Sequence, residues 1–394
     1  MVNTTLWWLL LIPVALSALT LLLVPRLIGH SLGRAQLLGI TAGGLVVSAI
    51  IMASAFYLAK GTKTADVEVW NGCVTSKERE HGSYVRTYEC NCREVCSGSG
   101  QQRSCHRVCQ TCYEHHYTVT WNVFTTIGTF VIDHKDWTSR AVYQLPNPRR
   151  WEVVQKNDPV SDARRHTNYV KAVPESLFRP AAADLKSKFA PLIPAYPSGV
   201  YDYYRVDRVL PVGVSVPNLR EWNDRLQDSL KFIGPDKQVN AVIVLVNTAD
   251  PNYEYALRDA WVSGKKNDVI LVIGTTAYPK IDWVRVISWT DRERFKVSLR
   301  DDIMALQQVS VDEVLTTLLK NLSTFERKRM RDFEYLSAEI DPPLWVMVTV
   351  VVLVVGAYVG FWIFAYLDGR NSIRVIRPTF NPGGALHRLI ARRK

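Results

Sequence analysis

Apolar and polar residues follow three different grammars along the 394-residue chain. The first is the uninterrupted apolar run. Leu6 to Val24, Leu37 to Ala59 and Leu344 to Leu367 contain no charged residue, and about 20 such residues in helical form cross a bilayer core. Three transmembrane helices are predicted. The first run is read as a retained helix, because "MVNTT" lacks the positive start of a cleaved signal peptide. The second grammar is alternation. "DVEVW" (66–70), "SYVRTYEC" (83–90), "YTVTWNVF" (117–124) and "TFVIDH" (129–134) repeat with period two and are rich in β-branched residues, as half-buried strands are. "SGSG" (97–100) marks a turn. The stretch 146–211, with Pro159, Pro174, Pro180, Pro191, Pro194 and Pro197, reads as ordered coil with short helices.

The third grammar begins at Val206. "NLREWNDRLQDSLKFI" puts Leu219, Trp222, Leu226, Leu230 and Ile233 on one helical face, with a capping box at Asn218 and Glu221. "VNAVIVLVN" (239–247) and "DVILVIG" (268–274) are continuous apolar runs, as strands buried on both faces are. Between them a short helix turns Tyr255, Ala256, Ala260 and Trp261 inward, which implies a right-handed parallel crossover. "VRVIS" (284–288) is a third strand and "SLRDDIMALQ" a further helix. A longer helix starts at a capping box, Ser310 to Glu313, and runs on through "ERKRMRDFEYL" until Asp341-Pro342-Pro343 stops it.

Together these patterns predict an α+β multi-domain membrane protein. Its parts are a first helix with its loop (1–36), a second helix (37–59), a cysteine-rich β module (60–145), a proline-rich connector (146–205), an α/β sandwich (206–340), a third helix (344–367) and a basic tail (368–394). Small residues at spacing four, Gly39 and Gly43, Gly44 and Ser48, Gly356 and Gly360, predict close packing of the helices and leave room for a homo-oligomer.

Charge gives the orientation. Arg26 and Arg34 flank the first loop, and Arg370, Arg374, Arg377, Arg388, Arg392, Arg393 and Lys394 face Asp368 alone in the tail. Lys and Arg stay on the cytoplasmic side, so the N-terminus and the bulk of the chain, about 60–343, are expected outside an inner (plasma) membrane. The net charge of +11 and pI near 9.3 would otherwise suggest nucleic acid. Here the excess is a topology signal, and no nucleic-acid partner is expected.

An oxidising compartment then governs the cysteines. Cys90, Cys92, Cys96, Cys105, Cys109 and Cys112 lie within one short stretch, with Cys73 upstream. They read as disulfides rather than a zinc site, since only Cys109 and Cys112 have the C-x2-C spacing of a zinc knuckle. Seven is odd, so one cysteine is left unpaired or bonds another chain, and the pairing is not legible from spacing. The nearby His106, His115 and His116 keep Zn2+ open as an alternative.

No His-Glu-x-x-His, Gly-x-Ser-x-Gly, P-loop or dinucleotide glycine motif occurs. In an open α/β sheet, ligands sit beyond the carboxyl ends of the strands, which here deliver Asn247, Thr248, Asp250, Thr275 and Thr276. With Asp207 and Asp268 these offer an oxygen-rich site for Ca2+. Asp207, Asp250 and Asp268 are therefore the metal candidates. Lys265 and Lys266 read as a solvated face and Trp261 as core.

The residues Asp207, the strand 239–246 and "WVSGKKNDVILVIG" (261–274) resemble the TPM domain, an extracytoplasmic, membrane-associated α/β fold. The resemblance spans about 206–336. It departs from the family at "SWTDRE", where the family has a Gly-x-Gly-x-Glu-like turn. "YECNCR" and "TCYEHHYTVTW" look similar to uncharacterised membrane proteins of large tailed phages. The absent catalytic motifs, the three helices and the stapled β module beside a TPM-like module lead to an expected extracytoplasmic protein-interaction role without enzymatic activity, with a membrane or envelope protein as partner and a phage acting at its host envelope as one setting. The alternative that the TPM resemblance implies is a metal-dependent phosphatase.

Overall fold

The structure is a computed structural model that describes residues 4–28, 34–97, 104–173, 180–202 and 204–375. The turn tip at 98–100, the tail from 376 and His30 of the first loop lie outside the described residues. The elements, in chain order, begin with helices α1 (Thr4–Ile28) and α2 (Arg34–Thr64), then strands β1 (Ala65–Ser97), β2 (Ser104–Thr125) and β3 (Gly128–Trp137). Next come α3 (Arg149–Val153), β4 (Pro159–Thr167), α4 (Tyr169–Ala172), α5 (Ala183–Phe189), β5 (Val209–Val212), α6 (Leu219–Lys237) and β6 (Asn240–Val246). The chain closes with α7 (Tyr253–Ala260), β7 (Asp268–Gly274), β8 (Trp283–Ser288), α8 (Glu293–Met304), α9 (Val311–Leu322) and α10 (Leu344–Val375). The contacts divide it into two compact units: one of residues 1–65, 167–176 and 333–394, the other of 66–166 and 177–332.

The first unit is helical. Among the described residues two helices are long and apolar enough to cross a membrane, α2 through Leu37–Thr64 and α10 through Leu344–Phe364, and α1 contributes the apolar stretch Leu11–Leu22. The three helices pack on one another. Val346, Val350, Val354 and Tyr358 recur every fourth residue on α10 and are buried with Ala59 of α2, against Ile12 and Leu16 of α1. Tyr358 is the centre of this contact. Its hydroxyl lies 2.6 Å from Ser17 Oγ, and its ring occupies the place a Cβ on Gly44 would need, 2.7 Å away. The Gly44 and Ser48 pair is thus used inside the chain. A Cβ on Gly39, Gly356 or Gly360 would meet nothing within 4 Å beyond its own helix among the described residues.

In the second unit the four-stranded sheet β3-β2-β1-β4 follows the predicted alternation. Val119, Trp121 and Val142 form one small core, and Val74, Val123, Ile127, Val154 and Val160 another. β4 lies within the segment read as connector. The backbone bonds Asn157 N to Val74 O and Asn168 N to Thr64 O, at its two ends, set it antiparallel to β1.

The second sheet has the order β5-β6-β7-β8, with β5, β6 and β7 parallel and β8 antiparallel at the edge. Alternate residues of β6 face opposite layers. Ala241, Ile243 and Leu245 meet Trp222, Leu226 and Leu230 of α6 together with α8 and α9. Val242, Val244 and Val246 meet Tyr253, Ala256 and Leu257 of α7 and Phe189. Helices on both faces explain why these strands read as unbroken apolar runs. The connections β5-α6-β6 and β6-α7-β7 step the same way across the sheet yet lie on opposite faces. They cannot share a hand, so one of the two is left-handed, against the usual preference.

Several local readings are corrected. The short strand β5 was not legible in "VLPV". On α7 the inward residues are Tyr253, Ala256 and Leu257, whereas Tyr255 and Ala260 are exposed. Asn218 adopts a left-handed backbone and caps nothing with its side chain, because capping needs an extended residue there; Ser310 makes no side-chain cap either. The last helix of the α/β module stops at Leu322 instead of running through "ERKRMRDFEYL". Phe325 turns into the core against Phe295, ring centres 5.8 Å apart, and a 3-10 turn at Met330–Ala338 follows.

Candidate interaction site

β3 pairs with β2 only from Tyr117 to Thr125, and β4 runs beside the first part of β1. Beyond the pair Ser83 and Tyr117, β1 and β2 continue alone. From Ser83 to Ser97 this arm extends about 50 Å, at roughly 3.3 Å per residue. An isolated two-stranded ribbon is marginal in water. Three nested disulfides brace this one: Cys90–Cys112, Cys92–Cys109 and Cys96–Cys105, separated by 22, 17 and 9 residues. Cys96 and Cys105 face each other in register. Cys92 sits in the irregularity where the register slips between Cys90 and Arg93 and where Asn91 has φ 47°. A cross-link that closes about 15 residues removes some 3 kcal/mol of chain entropy from the unfolded state. In a nested set each further rung closes a shorter free segment and adds less.

The pairing settles the odd cysteine. Cys73, half-buried near the base of β1, is the free thiol. Glu89 lies near Cys92 and Cys109, and Glu94 near Cys96 and Cys105, close enough to share an ion. Their sulfurs are spent in disulfides, and a zinc ligand must be a thiolate.

The arm displays apolar side chains that the described residues leave partly uncovered. Tyr84, Val85, Tyr88, Val108 and Tyr113 are each between 39% and 67% exposed. By register and alternation Tyr84 and Tyr88 share one face with the Cys90–Cys112 rung, and Val85 and Tyr113 share the other. At the arm's base His116 lies between two carboxylates: Nδ1 is 2.8 Å from Asp136 Oδ1 and Nε2 3.2 Å from Glu114 Oε2. Tyr84 stacks on the imidazole, ring centres 4.9 Å apart, and donates its hydroxyl to Asp136 Oδ2 at 2.6 Å. Those bonds, that to Asp136 foremost, raise His116 above its ordinary value, and the Tyr84 and His116 donors lower Asp136.

The foot of β1 is held to the α/β sheet by buried polar groups at the amino ends of β6 and β7. Lys265 pairs with Asp66 at 2.6 Å and Lys266 with Glu68 at 2.9 Å; Arg327 also reaches Glu68. Asn267 Nδ2 donates to Val69 O at 2.9 Å. Burial pushes the Glu68 carboxyl up, but Arg327 and Lys266 outweigh it and hold it below its ordinary value. Arg208, wholly buried, donates to Asn71, Ser161 and Asn240, and burial brings it down to about 10. Gly234 of α6 makes room for this approach: a Cβ there would lie 2.6 Å from the Asn71 carbonyl oxygen. The "WVSGKKND" stretch is therefore a joint between sheets. Lys265 and Lys266 are not a solvated face, because each is neutralised by an acid on β1. Trp261 is core, its indole donating to Pro194 O.

The three aspartates read as metal candidates are not brought together. Asp268 opens β7 beside Asn240, while Asp250 follows the far end of β6, about 20 Å away along seven strand residues. Asp268 accepts from Tyr196, Asn240 and the Lys265 backbone; burial raises its carboxyl. Asp250 holds Lys188 at 2.5 Å, and Asp207 accepts from Tyr201. Spacing in sequence could not reveal that the length of β6 separates Asp250 from Asp268.

No protein-family model, curated protein or solved structure matches the chain.

Proposed function

We propose that this chain is a multi-pass membrane protein that presents a non-enzymatic, extracytoplasmic interaction region to a protein partner in the membrane or envelope. Three helices, α1, α2 and α10, anchor it in an inner (plasma) membrane with the basic tail inside. The disulfide-braced arm is the observation that carries the reading. Such a ladder forms and persists in an oxidising compartment, and tyrosines on a stiff ribbon give large contact area at low ordering cost. The TPM-like residues support the same membrane-associated, extracytoplasmic placement.

A photo-crosslinking residue placed at Tyr88 or Tyr113 in the full-length protein, irradiated in intact membranes, tests it. The expected result is one discrete adduct that disappears when the disulfides are reduced beforehand. Labelling indistinguishable from that of a control probe at exposed Phe232, outside the arm, would count against the arm as the contact surface.

A further inference from the structure

A neutral imidazole carries one N–H and can donate to one acceptor. His116 has a carboxylate within hydrogen-bonding distance of both ring nitrogens, Asp136 on β3 and Glu114 on its own strand. Both contacts are satisfied together only by the imidazolium. With one proton fewer, a nitrogen lone pair faces a carboxylate oxygen, and one of the contacts must open.

The place of this cluster matters as much as its chemistry. Tyr117 and Trp137 form the last pair between β2 and β3, so His116 and Asp136 stand where the broad sheet narrows to the free arm. Tyr84, opposite His116 on β1, closes the cluster from the third strand through its stacked ring and its hydroxyl on Asp136. One side chain thus ties β1, β2 and β3 at the arm's root.

We propose that His116 is a protonation clamp: its imidazolium fixes the arm to the sheet, and loss of the proton frees the arm's root. Other charges facing the cluster are Arg86 on β1 and His134 on β3. Arg86 stands directly across from Glu114 in the register, so a Glu114 released by neutral His116 has a cation to turn to. His134 is engaged with Thr120, 2.8 Å away. The sign follows from linkage. A histidine stabilised as a cation in the folded state contributes fully at pH below its ordinary value of 6.5, and the contribution is lost as pH rises through the higher folded value. The arm is therefore stiff at its root in acidic surroundings and loose in alkaline ones. This rests on the arm being the contact surface.

The test is a pH titration of the full-length protein in lipid nanodiscs, following the His116 ring nitrogens by NMR and amide exchange at Tyr84, Tyr117 and Asp136. The expected result is a doubly protonated ring at pH 6.5 and a midpoint above it. Exchange at the root, normalised to the intrinsic base-catalysed rate at each pH, should quicken through that midpoint, about tenfold for each unit by which it exceeds 6.5. D136N should lower the midpoint, and H116Q, which cannot take up a proton, should abolish the pH step in exchange while the three disulfides stay intact. A singly protonated ring at pH 6.5, or a pH step that survives in H116Q, would overturn the clamp. Neither readout depends on capturing a partner, so failure of the clamp and failure of the interaction reading are told apart.

Discussion

At the scale of the residue, the joint between β1 and the α/β sheet depends on groups that have no room for change. A Cβ on Gly234 meets a backbone carbonyl, which cannot rotate away as a side chain could. G234A is expected to lower stability by about 1–3 kcal/mol, the usual cost of overpacking, while G199A, with nothing within 4 Å, leaves the melting temperature unchanged. Thermal unfolding of the two variants side by side checks this. Glu68 gives the joint a pH dependence. Its folded value lies below the ordinary 4.5 because Arg327 and Lys266 overcome its burial, so its contribution is complete above 4.5 and is lost as pH falls through the folded value. E68Q should be less stable than the parent at pH 7, with the gap closing towards pH 3. A gap that persists unchanged on acidification would show that the charge of Glu68 is not what holds β1. Lys265 and Lys266 looked like an ordinary solvated pair in sequence. Nothing local in "SGKKND" reveals that Asp66 and Glu68, some 200 positions earlier, would bury them.

Among the elements, the arm and the helices use opposite means to stay ordered. Among the described residues the arm has no hydrophobic core beyond Ser83 and Tyr117, and disulfides replace one. Alkylation of the unreduced protein should label one cysteine, Cys73, and leave the other six untouched by mass spectrometry. After reduction, limited proteolysis should cut first between residues 84 and 113 while the fragment carrying β5 to α9 survives. Cleavage elsewhere first would mean that the rungs do not hold the arm. The helices rely on fit. Gly44 leaves the hollow that Tyr358 fills, so G44L should force α2 and α10 apart and lower the thermal stability of the detergent-solubilised protein. G39L, facing open space, should not. The alternation and apolar runs in the sequence located these elements well, since side-chain period and helix length are local properties. They were silent on β5, whose four residues gain their strand character only by pairing with β6.

For the molecule as a whole, the proposed topology places 60–343 on one side of a membrane. A reporter active only after export, inserted after Gly199, should give signal, and the same reporter following Lys394 should give none. The reverse pattern would remove the compartment on which the disulfide and partner arguments stand. What the sequence by itself determined was most of the longer helices and strands, the preference for disulfides in the cysteine cluster and the three apolar runs, because hydrophobic period, length and composition act within a few residues of each other. What only tertiary structure decided was the pairing of the cysteines, the reach of the arm past its sheet, the separation of Asp250 from Asp268, and the closure of the Asp66, Glu68 and Asn71 joint. Each of these depends on which distant strands lie side by side. That choice is made by the summed packing of whole faces, which no single stretch of chain encodes.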